Sequence, residues 1–321
     1  MFWRSDSVRL CVRNPTFNHC SRNLDTTAIV RIYLAQFVIS ATELNSLFLI
    51  LGSGFGMLAN RKAIIGRQKV TDMESILKVE QLTGGYSPRR PVLHDLNFEL
   101  KAGEMVGLIG LNGAGKSTTI KHILGLMSPH QGGIKVAGVT LNESPQQYRS
   151  AFAYVPETPV LFDELTVEEH LRLSGMAYNV PGSDYEEQAS KLLEQYQMVP
   201  KRKAFASHLS KGMKQKVMIM SALLASPPLY IIDEPFLGLD PLGIRSLLDQ
   251  LVEVKRGGAA ILMSSHILST VEAYCDRYIV MHHGRIAAQG NLDDVRRAAG
   301  MDAGSGTLED AFYKLVAGGV D

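Results

Sequence analysis

The chain has 321 residues, 45% of them hydrophobic and 20% charged, with 33 Lys and Arg against 32 Asp and Glu for a formal net charge of +1. That balance supplies no global field for nucleic acid, and the length accommodates one large domain or two smaller ones. Three cysteines, Cys11, Cys20 and Cys275, make neither a metal-ligand spacing nor a disulfide framework and point to a reducing compartment.

Residues 1–72 differ from the rest, with nine Lys and Arg against four Asp and Glu, whereas the remainder has 24 against 28. They hold one uncharged run, "LNSLFLILGSGFGMLAN" (44–60), whose 17 residues stand at the lower limit for spanning a bilayer. Gly52, Gly54 and Gly56 weaken it as a helix. Arg61, Lys62, Arg67 and Lys69 follow it, as the positive-inside tendency requires. The run starts too late for a secretory signal peptide. The reading is an N-terminal extension (1–72), disordered or adventitious, with 44–60 as a candidate membrane segment and Met73 as an alternative start.

From Ile76 the chain alternates strand and helix signals, which predicts an α/β domain with a mainly parallel sheet. Strands are expected at 76–81 and 92–100, then a buried one at 104–110, followed by a glycine-rich turn and a helix to about 126. Further buried strands are expected at 151–155, 229–233 and 259–265. Helices are expected near 165–178, 185–198, 210–225, 242–256 and 266–274, the first opened by a Thr166–Glu169 capping box. Residues 277–290 read as a hairpin turning at His283–Gly284, with His282 and His283 exposed rather than acting as ligands. Residues 307–316 read as an amphipathic helix, with Thr307 and Asp310 in capping-box order.

The stretch "GLNGAGKST" comprises Gly110, Leu111, Asn112, Gly113, Ala114, Gly115, Lys116, Ser117 and Thr118. It fits G-x-x-x-x-G-K-[ST] between an apolar strand and a helix. Its glycines let backbone N–H groups turn toward phosphate oxygens, Lys116 reaches the β- and γ-phosphates, and Ser117 offers a hydroxyl to Mg²⁺. "LYIIDEP" (229–235) ends a buried strand in two carboxylates: Asp233 as a metal ligand and Glu234 as a general base for an attacking water. Alone, "IIDE" is weak, since many strands end in acidic residues; beside the phosphate cradle it is strong. A third stretch, "HLSKGMKQKV" (208–217), places Lys211, Lys214 and Lys216 in the first turns of a helix, where the backbone dipole disfavours cations. An anion is the expected reason.

These motifs stand in order with "GLDP" (238–241) and "SSH" (264–266), and the set resembles the ATP-binding subunits of ABC transporters over about residues 76–318. The resemblance implies a P-loop NTPase (RecA-like) α/β core with an antiparallel β subdomain and a small α-helical subdomain at about 160–225. The ABC ATP-binding domain would occupy 73–318, with a tail at 319–321. It implies ATP and Mg²⁺ as cofactors and ATP hydrolysis as the activity. Tyr86, 24 residues before Gly110, looks like the aromatic that stacks on adenine. Glu157 occupies the place of the usual Q-loop glutamine and joins Ser117 and Asp233 as a metal ligand. Ser210 and Gly212 match the signature motif, although Lys211 and Met213 depart from the usual LSGGQ. Asp240 lies in the D-loop, and His266 is similar to the switch histidine beside the γ-phosphate. Both departures, with "KGMKQK" and "DEPFLGLDPLGI", are similar to the Ecs-type exporter ATPases.

The resemblance also implies partners. Ser210, Gly212 and the following helix terminus would face the phosphate bound by a second copy, giving a homodimer (or pseudo-dimer) closed across ATP. In that arrangement Lys211 would either add charge toward the nucleotide or belong to a solvated face, and Lys214 and Lys216 would be solvated. Met213, Val217, Met220 and Leu224 form an anchoring stripe. A membrane permease subunit, docked near Glu157, would hold the chain at the cytoplasmic face of the cell membrane; "PVLF" (159–162) would either receive that partner's coupling helix or serve local packing of Phe162. The competing readings are a soluble relative acting on nucleic acid or ribosomes, and an ATPase anchored by its own residues 44–60. Asp233 stands only 117 residues past Lys116, which leaves no room for a long coiled coil, and there is one cassette rather than two.

Overall fold

Runs of consecutive apolar residues build the centre of the structure, a computed structural model that describes residues 75–317. The expectations for residues 1–72, the 44–60 segment among them, lie outside the described residues. Strands β3 (Met105–Gly110), β5 (Phe152–Val155), β6 (Leu229–Asp233), β7 (Ala260–Ser264), β8 (Arg277–His282) and β9 (Arg285–Gly290) form one sheet in the order β5-β6-β7-β3-β8-β9. Every pairing is parallel except β8–β9. Strands buried on both faces need no polar alternation, which is why "MVGLIG", "LYIID" and "AILMS" read as continuous apolar runs.

The period-2 pleat sorts these residues into two cores. Ile109, Ile232, Met263 and Val280 face one, shared with the helices α3 (Val167–Ala177), α4 (Gly182–Gln195) and α5 (Lys211–Ala225). Leu108, Ile231, Leu262 and Met281 face the other. That side carries α1 (Lys116–Ile123), α2 (Pro145–Ser150) and an antiparallel sheet in the order β2-β1-β4, from β1 (Leu77–Gly84), β2 (Leu93–Leu100) and β4 (Gln131–Val136). The expected α/β core, antiparallel subdomain and helical subdomain are all present.

Helices α6 (Pro241–Arg256), α7 (Leu268–Tyr274), α8 (Leu292–Ala298) and α9 (Leu308–Ala317) complete the described chain. Gly107 in β3 lies so close to Val271 of α7 that a Cβ would collide with it, so α7 packs directly on the central strand. The hairpin turns at His283 (φ 46°) and Gly284 (φ 72°), the two left-handed residues that a tight two-residue turn requires. Gly284 donates to the carbonyl of Ala114 and accepts from His94, so this turn buttresses the loop after β3. His283 is exposed as expected, whereas His282 is partly buried and its ring lies 4.1 Å from that of His283.

One strand and two α-helices lie outside the expected elements. Strand β4 begins "QGG" and carries its apolar residues only at Ile134 and Val136. Helix α2 is one polar turn and a half. Helix α8 did announce itself, through an Asn291–Asp294 capping box of the kind recognised at Thr166–Glu169.

Candidate phosphate-binding and hydrolytic site

The loop after β3 is shaped by Gly113 (φ 82°) and Gly115 (φ 108°), both in the left-handed region that glycine adopts at no steric cost. Gly115 is the N-cap of α1, and it gives the helix no side-chain acceptor; there is no acidic residue in the first turn either. The first amides of α1 are therefore free to receive an external anion, and the helix dipole favours one. Lys116 Nζ donates to the Gly110 carbonyl at 2.7 Å and to that of Leu111 at 3.4 Å, which holds its ammonium over the loop. Ser117 is exposed on the same turn, while Thr118 is buried.

Tyr86 is 70% exposed at the edge of this cradle. Its hydroxyl accepts from Lys121 Nζ at 3.1 Å, and the ammonium sits 5.3 Å from the ring centroid, so α1 orients the ring while its face stays open. The Lys121 hydrogen bond also lowers the phenol's pKa.

The acidic pair stands at the end of β6. Strand β7 lies between β6 and β3, and Ser264 of β7 connects the carboxylates. Its Oγ donates to Asp233 Oδ1 at 2.5 Å and accepts from the Glu234 amide at 3.1 Å. Burial pushes the Asp233 carboxyl above its usual range; the Ser264 hydrogen bond opposes this, the charges of Glu234 and Glu157 add to it, and Lys116 lowers it. Glu157 itself is exposed on the loop after β5.

Glu234 has φ 46°, a left-handed conformation that costs a non-glycine residue about 1–2 kcal/mol. It turns the side chain, only 13% exposed, toward His266. His266 Nδ1 donates to Glu234 Oε2 at 2.6 Å and the His266 amide donates to the same oxygen at 3.2 Å. The imidazole is 62% exposed, so its other nitrogen is open to a ligand. Beside this group a cleft of about 480 Å³ is lined by Leu111, Asn112 and His266 and, from α9, by Glu309, Phe312 and Tyr313. That approach of the C-terminal helix to the phosphate loop had no signal in the sequence.

The structure thus brings residues 110–118, Asp233, Glu234 and His266 together, with Glu157 within electrostatic reach. Ser210, Gly212 and Asp240 form a second cluster. Ser210 Oγ caps α5 by accepting from the Met213 amide at 3.3 Å. Asp240 Oδ1 caps α6 by accepting from the Gly243 amide at 2.8 Å. The hydrogen bonds of Ser210 and Asp240, among the described residues, do not extend to 110–118. Gly212 lies against the Gly238 carbonyl with no room for a Cβ, so its first duty is packing within its own chain.

One expectation is corrected here. Lys214 and Lys216 are not simply solvated: Lys214 pairs with Asp163 at 3.3 Å and Lys216 with Asp240 at 3.5 Å, both partly buried. A carboxylate from another segment offsets the unfavourable placement of each cation at a helix N-terminus. Lys211 is exposed. Met213 is partly buried and Val217, Met220 and Leu224 fully so, as the stripe required. Among the described residues no group of three or more His, Cys, Asp or Glu could hold a metal, and no helix is long and apolar enough to cross a membrane.

A family model described as "ABC transporter" matches residues 93–237. The chain is 54% identical over 241 residues to the ABC-type transporter ATP-binding protein EcsA of Bacillus subtilis (strain 168), an alignment covering 75% of this chain and 96% of that protein. It is 35% identical over 233 residues to the Nod factor export ATP-binding protein I of Rhizobium meliloti (strain 1021), covering 73% and 68%. A solved ATP-binding subunit of an ABC transporter superposes with a TM-score of 0.73 at 53% identity, over 75% of this chain and 99% of that one.

Proposed function

The chain belongs to the family of ABC transporter ATP-binding subunits and is an ATPase, and from that premise we propose that it hydrolyses ATP in a dimer of two copies and thereby drives export through a separate membrane permease. The observation that carries the hydrolytic part is the meeting of Lys116, Asp233, Glu234 and His266 at the C-terminal ends of neighbouring strands. Tyr86 would stack on the base, and the amides of residues 113–118 with Lys116 would hold the phosphates.

Ser117, Asp233 and Glu157 are an all-oxygen donor set, which suits Mg²⁺. The fit rests on the buried Asp233 carboxyl, crowded by the charges of Glu234 and Glu157, which a cation would relieve. Bound there, Mg²⁺ would neutralise charge on the β- and γ-phosphates. Glu234 takes the proton of the attacking water, its carboxylate aimed by the His266 hydrogen bond, and the exposed Nε2 of His266, a donor in the imidazolium form, would meet the γ-phosphate.

Ser210 and Gly212 of one copy would complete the phosphate site of the other. A ligand that binds the closed dimer better than the open one can drive a cycle, and this is the work delivered to the permease at the cytoplasmic face of the membrane. Export is supported by the likeness to a Nod factor export ATP-binding protein. Residues 73–318 would be the working domain and 1–72 an extension.

Glu234→Gln tests the site. It keeps the His266 acceptor, so ATP binding and a nucleotide-dependent dimer should persist while turnover falls by about 10²–10⁴. Undiminished hydrolysis would remove Glu234 from the role of base. A chain starting at Met73 should retain ATPase activity. If only the full-length chain pellets with permease-free membranes, anchoring by 44–60 replaces the permease as the means of attachment.

A further inference from the structure

Two neighbouring residues of α1, Lys121 and His122, take hold of the segment that carries the exposed Tyr86. His122 is buried, its Nδ1 donates to the Thr118 carbonyl at 2.8 Å, and its ring lies against Gly84, the last residue of β1, where a Cβ would collide with Nε2. The Gly84 carbonyl accepts from the Val92 amide at 2.8 Å, so the end of β1 is seated on α1 and closed against the chain entering β2. Tyr86 follows two residues later. Lys121 Nζ lies 3.1 Å from its hydroxyl but 5.3 Å from its ring centroid. An ammonium stacked over a ring is nearer the centroid than the hydroxyl, so this one sits off the hydroxyl end and leaves the ring faces to a base. The Lys121 hydrogen bond lowers the phenol's pKa, and the Thr118 hydroxyl, one turn earlier on the same side of α1, adds to that effect.

We infer that Lys121 is a positioning residue for the nucleobase: it holds Tyr86 by the hydroxyl, so that the ring is set for stacking before ATP arrives. The inference rests on the reading that Tyr86 stacks on the base. A side chain this exposed otherwise spreads over its staggered rotamers and loses that freedom on binding. Lys116 and Lys121 stand on one helix, about 7.5 Å of rise apart, so phosphates and base are both referred to a single rigid element. The role calls for tyrosine at 86 and not merely for an aromatic ring, because phenylalanine offers Lys121 no acceptor.

Lys121→Met keeps the stem without the charge, Lys121→Arg keeps a donor, and Tyr86→Phe keeps the ring without the hydroxyl. In equilibrium titrations of the full chain, Lys121→Met and Tyr86→Phe should each weaken ATP binding roughly two- to tenfold, the scale of ordering one side chain. The double variant should bind no worse than the weaker single variant, and Lys121→Arg should recover most of the affinity. Inorganic tripolyphosphate, which has no base, should bind every variant as it binds the wild type, and in ATPase assays the loss should fall on KM rather than on kcat. Alkaline absorbance titration, with the matching Tyr86→Phe background subtracted, should show the phenol ionising at higher pH in Lys121→Met.

Wild-type ATP affinity in both single variants, losses that multiply in the double variant, or an unmoved phenol titration would each overturn the inference. Lys121→Met that weakens tripolyphosphate as much as ATP would make the lysine a phosphate ligand, and would overturn it as well. Tyr86→Ala separates the premises. If that variant binds ATP as the wild type does, the stacking reading falls and this inference with it. If it weakens ATP while Lys121→Met and Tyr86→Phe do not, the tether alone falls.

Discussion

Replacing Gly212 by alanine asks whether that glycine exists for a phosphate or for its own chain. A Cβ at 212 would start well inside 3.0 Å of the Gly238 carbonyl oxygen, and both partners are backbone, so no side chain can swing away. Overpacking of this kind costs about 1–3 kcal/mol, and backbone on both sides argues for the upper end. Alanine's better helix propensity returns about 1 kcal/mol at most. The net loss is therefore about 2 kcal/mol. For a domain of this size each kcal/mol lowers Tm by roughly 2–4 °C, so a fall of roughly 4–8 °C is expected. The assay is thermal or urea unfolding without nucleotide, run beside ATP turnover. If Gly212 serves only to let a neighbour's phosphate approach, turnover collapses while the nucleotide-free Tm stays at the wild-type value. That result would refute the intramolecular packing.

Tyr86→Ala removes an exposed ring tied to α1, and should weaken ATP binding by about 1–3 kcal/mol, the scale of base–aromatic stacking, without changing Tm. Asp233→Asn removes a charge whose burial raises its pKa; the nucleotide-free protein should be as stable or more so, by denaturant unfolding, while Mg²⁺-dependent turnover drops by two orders of magnitude or more, on the order of ~10². His170 is fully buried, with Nδ1 bonded to the Thr166 carbonyl and Nε2 accepting from the Phe162 amide, and burial lowers its pKa. The unfolded chain therefore takes up the proton first, and stability falls as pH drops below about 6.5, by up to ~1.4 kcal/mol per pH unit, until the folded pKa is reached. His170→Gln, which can accept from Phe162 without titrating, should flatten that slope in urea titrations at pH 7 and pH 5.5.

The readable parts of this chain are those where one local cause dominates. The buried strands were visible because burial on both faces forces unbroken apolar runs. The phosphate loop was visible because a tight anion-binding turn needs glycine at positions such as 113 and 115. Strand β4 was hidden because its place comes from pairing with β1, not from its own pattern; "QGG" is no strand signal, and Gly133 meets nothing even if a Cβ is added. The role of Ser264 was hidden in the same way. A serine at a strand end is ordinary until β7 is found between β6 and β3, where its hydroxyl holds Asp233 and the amide of Glu234 at once. The pairing of Lys214 and Lys216 depends on Asp163 and Asp240, 51 and 24 residues away in sequence.

The lysine run at the start of α5 looked like an anion site because cations are disfavoured there, and two of the three turn out to be neutralised from within the chain. The charge economy of the two clusters is therefore unequal. Around the phosphate loop, Asp233, Glu234 and Glu157 act on one another with Lys116 as the opposing cation. That group carries an excess of carboxylate, which ATP alone would aggravate and a divalent cation would correct. At the Ser210 end, pairing offsets the charge of Lys214 and Lys216 and leaves exposed Lys211 beside the first-turn amides that the Ser210 cap on Met213 does not occupy. Under the two-copy reading, those N–H groups with one cation would suit the terminal phosphate of a nucleotide held by the other copy. The unusual glutamate at 157 and the unusual lysine at 211 then belong to one pattern: acid added where the metal would sit, base added where the phosphate would dock. The departures at 157 and 211 would each increase the charge contrast across the proposed seam, while that at Met213 leaves it unchanged.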